Sequence, residues 1–267
     1  MTTKVVIRPS SVSGFVNCSW QWYNTFILGK TTIPGARAAI GTGIHKAAEV
    51  MWSEAIKSGN IDKNLTKLND AGIEAFEEEA KKNTLAYDKD ENANTARVEI
   101  VKGVKAFVSD IVPFTDIPDA VETRFTVNID HPLVSALSGT IDYLSRKKKT
   151  IGDLKTSKKT PSPANYDIQQ SIYKFLAEAN GVQVDTNIIQ GVVLTQNPKG
   201  TILELTPKVE MAKYLVNNLL DSLEVLNTGL VDPKVLFRGN PKYYLCDDRY
   251  CSLRSTCPFA NGDLKGK

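Results

Sequence analysis

Apolar residues recur at helical spacing through Thr42–Ser58. Ile44, Ala47, Ala48, Met51, Trp52, Ala55 and Ile56 fall on one side, and Gly59 supplies the stop. Leu65–Lys82 and Ala93–Val112 carry the same period, the first with an acidic run at Glu77–Glu79. The period then changes. Ala120–Ile129 alternates like a strand, and the β-branched runs Thr140–Leu144 and Thr150–Thr156 flank a basic turn, Ser145–Lys149. Ser162-Pro163 predicts an N-cap and first-turn proline for a helix running to Gly181. Ile188–Gln196 and Thr201–Leu205 predict a second strand pair around the turn Asn197–Gly200, and Thr206-Pro207 opens a last helix to about Asn227. Helices, strands, one helix, two strands and one helix make an α/β protein: a mixed sheet with helices on its faces. Residues 1–267 read as one domain, with a helical part at about 42–112, a core at about 120–228 and a tail at 231–267. That tail is rich in Pro, Gly and Cys, and needs something other than a large apolar core to order it.

The hairpin carries the most pointed chemistry. Asp153 and Lys155 are two apart on a strand and share a face. A turn centred between Lys147 and Lys148 sets Asp142 opposite Asp153, so three charged groups converge. Two facing carboxylates repel unless a cation separates them, and oxygen ligands suit magnesium or manganese. A solvated hairpin with charges on its outer face is the plainer alternative.

Charge adds a partner class. The formal net charge of +3 is too small to argue for nucleic acid. Locally, from Asp142 to Thr160, seven basic residues (Arg146, Lys147, Lys148, Lys149, Lys155, Lys158 and Lys159) face two aspartates. A basic patch beside an acidic metal site suits a polyanion, and Lys147, Lys148, Lys158 and Lys159 are the candidate DNA contacts. No apolar run is long enough to cross a bilayer, and the N-terminus lacks the apolar core of a signal peptide. The expectation is a cytoplasmic protein with no membrane partner.

Four cysteines remain: Cys18, then Cys246, Cys251 and Cys257 in a Cys-x4-Cys-x5-Cys pattern. In such a chain, metal ligation is a better reading than disulfides. A cubane iron–sulfur cluster takes four thiolates, and would tie residue 18 to residue 246. Trp20, Trp22, Tyr23, Tyr243, Tyr244 and Tyr250 supply apolar cover. The alternative is zinc on three thiols plus another ligand, which neither histidine is near enough in sequence to provide.

His45 follows Gly41 and Gly43, which permit close backbone approach, and Glu49 lies one turn further on. The imidazole can complete a carboxylate metal site. Gln169 and Tyr173 project together from the helix after the hairpin, and Glu122 precedes the hairpin as a weaker candidate. His131, before Pro132, receives no role.

Together these residues resemble the PD-(D/E)XK nuclease superfamily, in particular its RecB-type exonuclease branch. The resemblance rests on Gly-x-x-x-His at 41–45, Gly-Thr-Ile-Asp at 139–142, Asp-Leu-Lys at 153–155 and Gln-x-x-x-Tyr at 169–173. The cysteine pattern is similar to that of members with a [4Fe–4S] cluster, such as the AddB nuclease domain and the exonucleases of CRISPR spacer acquisition. Many members have glutamate where this chain has Asp153. The resemblance implies a restriction-endonuclease-like sheet whose terminal segments are joined by the cluster. It implies a metal-dependent DNA exonuclease for recombination, repair or end processing. His45, Asp142, Asp153 and the Leu154 carbonyl would hold Mg2+ or Mn2+, and Lys155 would orient water and offset phosphate charge. Gln169 and Tyr173 would support the site and DNA, with Glu49 and Glu122 as further support. Such nucleases often work beside a helicase, a strand-annealing protein or an integrase. The competing expectations are a non-catalytic DNA-binding or scaffold protein, and a zinc-stabilised nuclease without iron.

Overall fold

The computed structural model describes residues 4–30, 34–89, 91–243, 246–248 and 251–260. Tyr244 and Tyr250, expected as cover for the cysteines, lie outside the described residues. The helices are α1 (Pro9–Asn17), α2 (Ser19–Phe26), α3 (Ala36–Ser58), α4 (Leu65–Lys82), α5 (Ala93–Ala106), α6 (Asp167–Ala179) and α7 (Val209–Asn227). The strands are β1 (Val5–Ile7), β2 (Ala120–Asn128), β3 (Val134–Ser145), β4 (Thr150–Ser157), β5 (Thr186–Val193) and β6 (Lys199–Leu205).

They form one mixed sheet in the order β1-β3-β4-β5-β6, with β2 also paired to β3. Pairing is antiparallel for β2–β3, β3–β4 and β5–β6, and parallel for β1–β3 and β4–β5. Each face of the sheet buries its own core. One joins α3, α4 and α5 to Tyr143, Leu154 and Val192. The other joins α1, α2, α6 and α7 to Ile7, Leu137, Ile141 and Ile151. Ile151 and Leu154 serve opposite cores, as alternation along a strand requires. Burial of these apolar faces is the main force holding the layers together.

Strand β3 organises the site. One of its edges pairs with β1 at Val134, Ala136 and Leu137, and with β4 at Tyr143, Leu144 and Ser145. Between them, residues 138–142 lack a ladder partner on that side. Gly139 opens this gap for packing: a Cβ there would stand 2.8 Å from both Pro9 Cγ and Tyr173 Cε1.

Several expected boundaries shift. α3 starts at Ala36 rather than Thr42, and Gly41 and Gly43 are contact points inside the helix. A Cβ at Gly41 would meet Thr156 Oγ1 at 2.9 Å, and one at Gly43 would meet the Gly72 carbonyl of α4 at 2.6 Å. α5 stops at Ala106 and continues as a π-turn, Phe107–Ile111, and a 3-10 turn, Val112–Phe114. Ser162-Pro163 opens only a 3-10 turn, Pro163–Asn165, and α6 begins at Asp167. β5 ends at Val193 rather than Gln196, and β6 already starts at Lys199. α7 starts at Val209, beyond Thr206-Pro207. The N-terminal strand and two helices were not expected at all.

Among the described residues, no helix is long and apolar enough to cross a membrane. α2 and the tail are joined through Ser19. Its Oγ donates to the Arg238 carbonyl at 3.2 Å and accepts the Arg238 N–H at 2.8 Å. Stacking of Tyr23 on Phe237, with centroids 4.8 Å apart, adds apolar contact.

Candidate active site

The β3–β4 ladder has the expected register, with Tyr143 opposite Gly152 and Ser145 opposite Thr150. It ends one step before Asp142 and Asp153. There a side chain replaces the ladder: Asp142 Oδ2 accepts the Leu154 N–H at 2.7 Å. Beside it, Lys155 Nζ lies 2.6 Å from Asp153 Oδ2. Asp153 is almost completely buried, so its charge depends on that ammonium.

α3 brings His45 over this point, with Nδ1 3.4 Å from Asp142 Oδ2. β2 brings Glu122. Its neighbours Val121 and Thr123 pair with Tyr143 and Ile141, which sets Glu122 opposite Asp142, where the ladder skips a step. Glu122 has φ +47°, a left-handed conformation that a non-glycine residue holds only at a cost of order 1–3 kcal/mol. The ligand atoms of His45, Glu122 and Asp142 all lie within 4.8 Å of one another. Glu122, the weaker candidate, thus lies with His45 and Asp142, while Asp153, beside them, is paired with Lys155.

The electrostatics describe acids crowded without enough positive charge. Burial raises Asp142 to about 6, against the pull of Lys155 and the Leu154 N–H. Burial, reinforced by Asp142, also raises Asp153 to about 6, with Lys155 opposing. Glu122 keeps an exposed edge, yet burial of its inner side and the neighbouring Asp142 and Glu49 push it up to about 7. His45 is lowered to about 4, by burial first and then by Lys155; Asp153 and a hydrogen bond to the Leu154 backbone oppose this. The ring is therefore neutral at pH 7, the form that ligates metal. Burial alone would lower Lys155, but Asp153 and Asp142 outweigh it and the ammonium is retained. The donor set of one imidazole and several carboxylates fits a divalent ion with affinity for oxygen and nitrogen, and bound charge would relieve the crowding.

Gln169 Nε2 donates to Tyr173 Oη at 3.1 Å. Tyr173 is raised by burial and by Asp153, so the pair stands as a neutral wall beside the acids. Glu49 pairs with Lys46 at 2.9 Å and lines the same cleft. That cleft, about 730 Å³, also takes Arg37, Glu78, Glu79 and Thr156, none of which the sequence marked as a site residue. Glu78 and Glu79 belong to the acidic run on α4, which was legible only as a surface feature. Tyr166, ahead of α6, lies within electrostatic reach of Lys155 and was likewise missed.

Two expected DNA-contact lysines are engaged within the chain. Lys148 Nζ lies 2.5 Å from Asp116, and Lys158 lies 3.5 Å from Glu91 and 3.8 Å from Asp88. Lys147 and Lys159 remain exposed. His131 is a buried packing residue, its Nδ1 accepting the Leu133 N–H at 3.0 Å.

Residues 7–258 match the PD-(D/E)XK nuclease superfamily. The chain belongs to that superfamily. Membership agrees with the mixed sheet flanked by helices. Among solved structures, a candidate exonuclease from Eubacterium rectale superposes with a TM-score of 0.61 at 11% identity. The match covers 98% of this chain and 93% of that one, and establishes likeness of fold. The protein SSO0001 matches at a TM-score of 0.35 and 16% identity, over 52% of this chain and 59% of that one, and carries no argument. No curated protein sequence matches the chain.

The four cysteines line a second cleft, with Trp20, Tyr243, Arg254 and Phe259. Burial raises the Cys251 thiol, and Cys18, Cys246 and Cys257 add to the shift. Among the described residues, the cysteines do not form a group with all sulfurs within 4.8 Å.

Proposed function

We propose that the protein is a metal-dependent nuclease that hydrolyses DNA phosphodiester bonds from an end, in recombination, repair or end processing. The observation that carries this reading is the convergence of His45, Glu122 and Asp142 ligand atoms within 4.8 Å, beside the Asp153–Lys155 pair. A divalent ion held there supplies Lewis-acid charge and acidifies a bound water. The chain's own groups do the rest. Neutral His45 and ionised Asp142 and Glu122 would hold it, with Asp153 and the Leu154 carbonyl completing the set. Lys155 offers a proton donor and positive charge to the non-bridging phosphate oxygens as negative charge builds there. Gln169 and Tyr173 exclude water from the inner side. Lys147 and Lys159 attract the backbone from outside.

The deciding assay is end-labelled DNA with Mn2+ or Mg2+, labelled at 5′ and 3′ ends in parallel. Loss of label that needs the metal and is stopped by Asp142→Asn supports the reading. Metal-independent binding without cleavage would make the protein a DNA-binding scaffold instead.

For the second cleft we propose a [4Fe–4S] cluster on Cys18, Cys246, Cys251 and Cys257, fastening the N-terminal helices to the tail. Support comes from four thiols lining one cleft under aromatic cover. Protein purified without air should be brown and release iron on acid treatment; a colourless, zinc-loaded preparation removes this part of the reading. As a further part of the reading, the enzyme acts beside a helicase, a strand-annealing protein or an integrase.

A further inference from the structure

The cleft follows one stripe of α3, on which Arg37, Gly41, His45 and Glu49 recur every fourth residue. Arg37 is therefore about 12 Å from His45 along the helix, at roughly 1.5 Å per residue. At that end the helix layer is tied to the sheet layer. Ala36 N–H donates to the Ala86 carbonyl at 2.8 Å, and Ala86 N–H to the Pro34 carbonyl at 3.0 Å. These bonds fasten the α4–α5 connection to the start of α3. The same connection then meets Lys158, three residues past Lys155 on the segment leaving β4. Lys158 Nζ lies 3.5 Å from Glu91 Oε1 and 3.8 Å from Asp88 Oδ2. Glu91 Oε1 also takes the Arg37 guanidinium, whose other terminal nitrogen pairs with Glu99. The Glu91 side chain is only 12% exposed.

We propose that the Arg37–Glu91–Lys158 bridge closes one end of the catalytic cleft and is the stop against which a DNA end comes to rest. This rests on the nuclease reading and explains why cleavage would need an end. A strand enters from the side away from the bridge and presents its terminus. A strand that continues past the site must run through the bridge. There it meets three carboxylates (Asp88, Glu91, Glu99) against two cations (Arg37, Lys158) and is repelled. The space between stop and metal site admits about three or four stacked nucleotides at ~3.4 Å each, so products are short.

The test compares linear DNA with covalently closed circles of the same sequence, in single- and double-stranded form. The parent should degrade linear DNA to short products and spare circles. Glu91→Gln and the exposed Lys158→Ala should each raise the ratio of circle to linear cleavage about fivefold, the most that one part-exposed ion pair is worth. Equal cutting of both forms by the parent overturns the proposal. So does an unchanged ratio in both variants when each keeps the parent's circular dichroism and Tm. A second arm reads binding without cleavage, with Ca2+ as the ion. Preference for linear DNA without any cleavage by Mn2+ keeps the stop and removes the nuclease reading; equal affinity for circles removes the stop.

Discussion

Asp142 reaches across to Leu154: its carboxylate accepts, at 2.7 Å, the backbone N–H that a continuing β3–β4 ladder would have paired. One side chain thus closes the end of a ladder and, in the proposed reading, supplies a metal ligand. The two duties separate by mutation. Asp142→Asn keeps an acceptor and removes a charge held against burial, so the fold should survive while cleavage is lost. Asp142→Ala leaves the Leu154 N–H unsatisfied, which costs about 1–3 kcal/mol. Urea denaturation of the two variants, side by side, should show Ala below Asn by that margin.

Lys155→Ala should lower cleavage by about 10²–10³, the usual loss when one donor to developing charge is removed. DNA binding should change little, because Lys147 and Lys159 lie outside the site. Single-turnover rates and filter binding read the two effects independently. An undiminished rate would remove Lys155 from the mechanism.

Three carboxyls and one imidazole give the metal-free protein an inverted acid profile. Asp142 and Asp153 at about 6 and Glu122 at about 7 stand above their unfolded values, so the native state binds the extra protons. Stability then falls as pH rises from about 4 to 7. His45, at about 4, lies below its unfolded value and acts in the opposite sense between about 4 and 6.5. Three groups outweigh one. The Tm of EDTA-treated protein should therefore drop between pH 5 and 7.5, and Mn2+ should restore it at pH 7.5 by more than at pH 5. A flat profile would contradict the crowding of these acids.

Glu122→Gln should raise the metal concentration needed for cleavage by at least about tenfold, the lower range for loss of a group that orients or binds a metal. Glu49→Gln, whose partner is Lys46, should shift it far less. Calorimetric Mn2+ titration gives both values.

Gly139→Ala should destabilise by about 1–3 kcal/mol, since Pro9 and Tyr173 already occupy the space a methyl group needs. Gly14 in α1 has nothing within 4 Å of its Cβ position, so Gly14→Ala should be neutral or stabilise by up to about 1 kcal/mol. Paired Tm measurements distinguish the two glycines.

The hairpin was legible because a short basic turn fixes register, and register alone places Asp142 against Asp153. Lys155, Gln169 and Tyr173 followed from local spacing. Glu122 was harder. Alternation marks it only as a polar strand position, and its value comes from pairing with β3 and from a backbone kink at φ +47°. The start of α3 was hidden because Gly41 and Gly43, low in helix propensity, sit inside it, where each permits contact with a distant element. β1 is three residues long, too short for any period, and its pairing depends on residues more than a hundred positions away. The partners of Lys158, Asp88 and Glu91, were hidden because they are remote in sequence.

That remote strand decides when the enzyme can exist. Val5–Ile7 forms one flank of the gap in β3, and its partner at Val134–Leu137 leaves the ribosome long after it. Asp153 and Lys155 follow later still. The pocket can therefore close only after more than half of the 267-residue chain has been made.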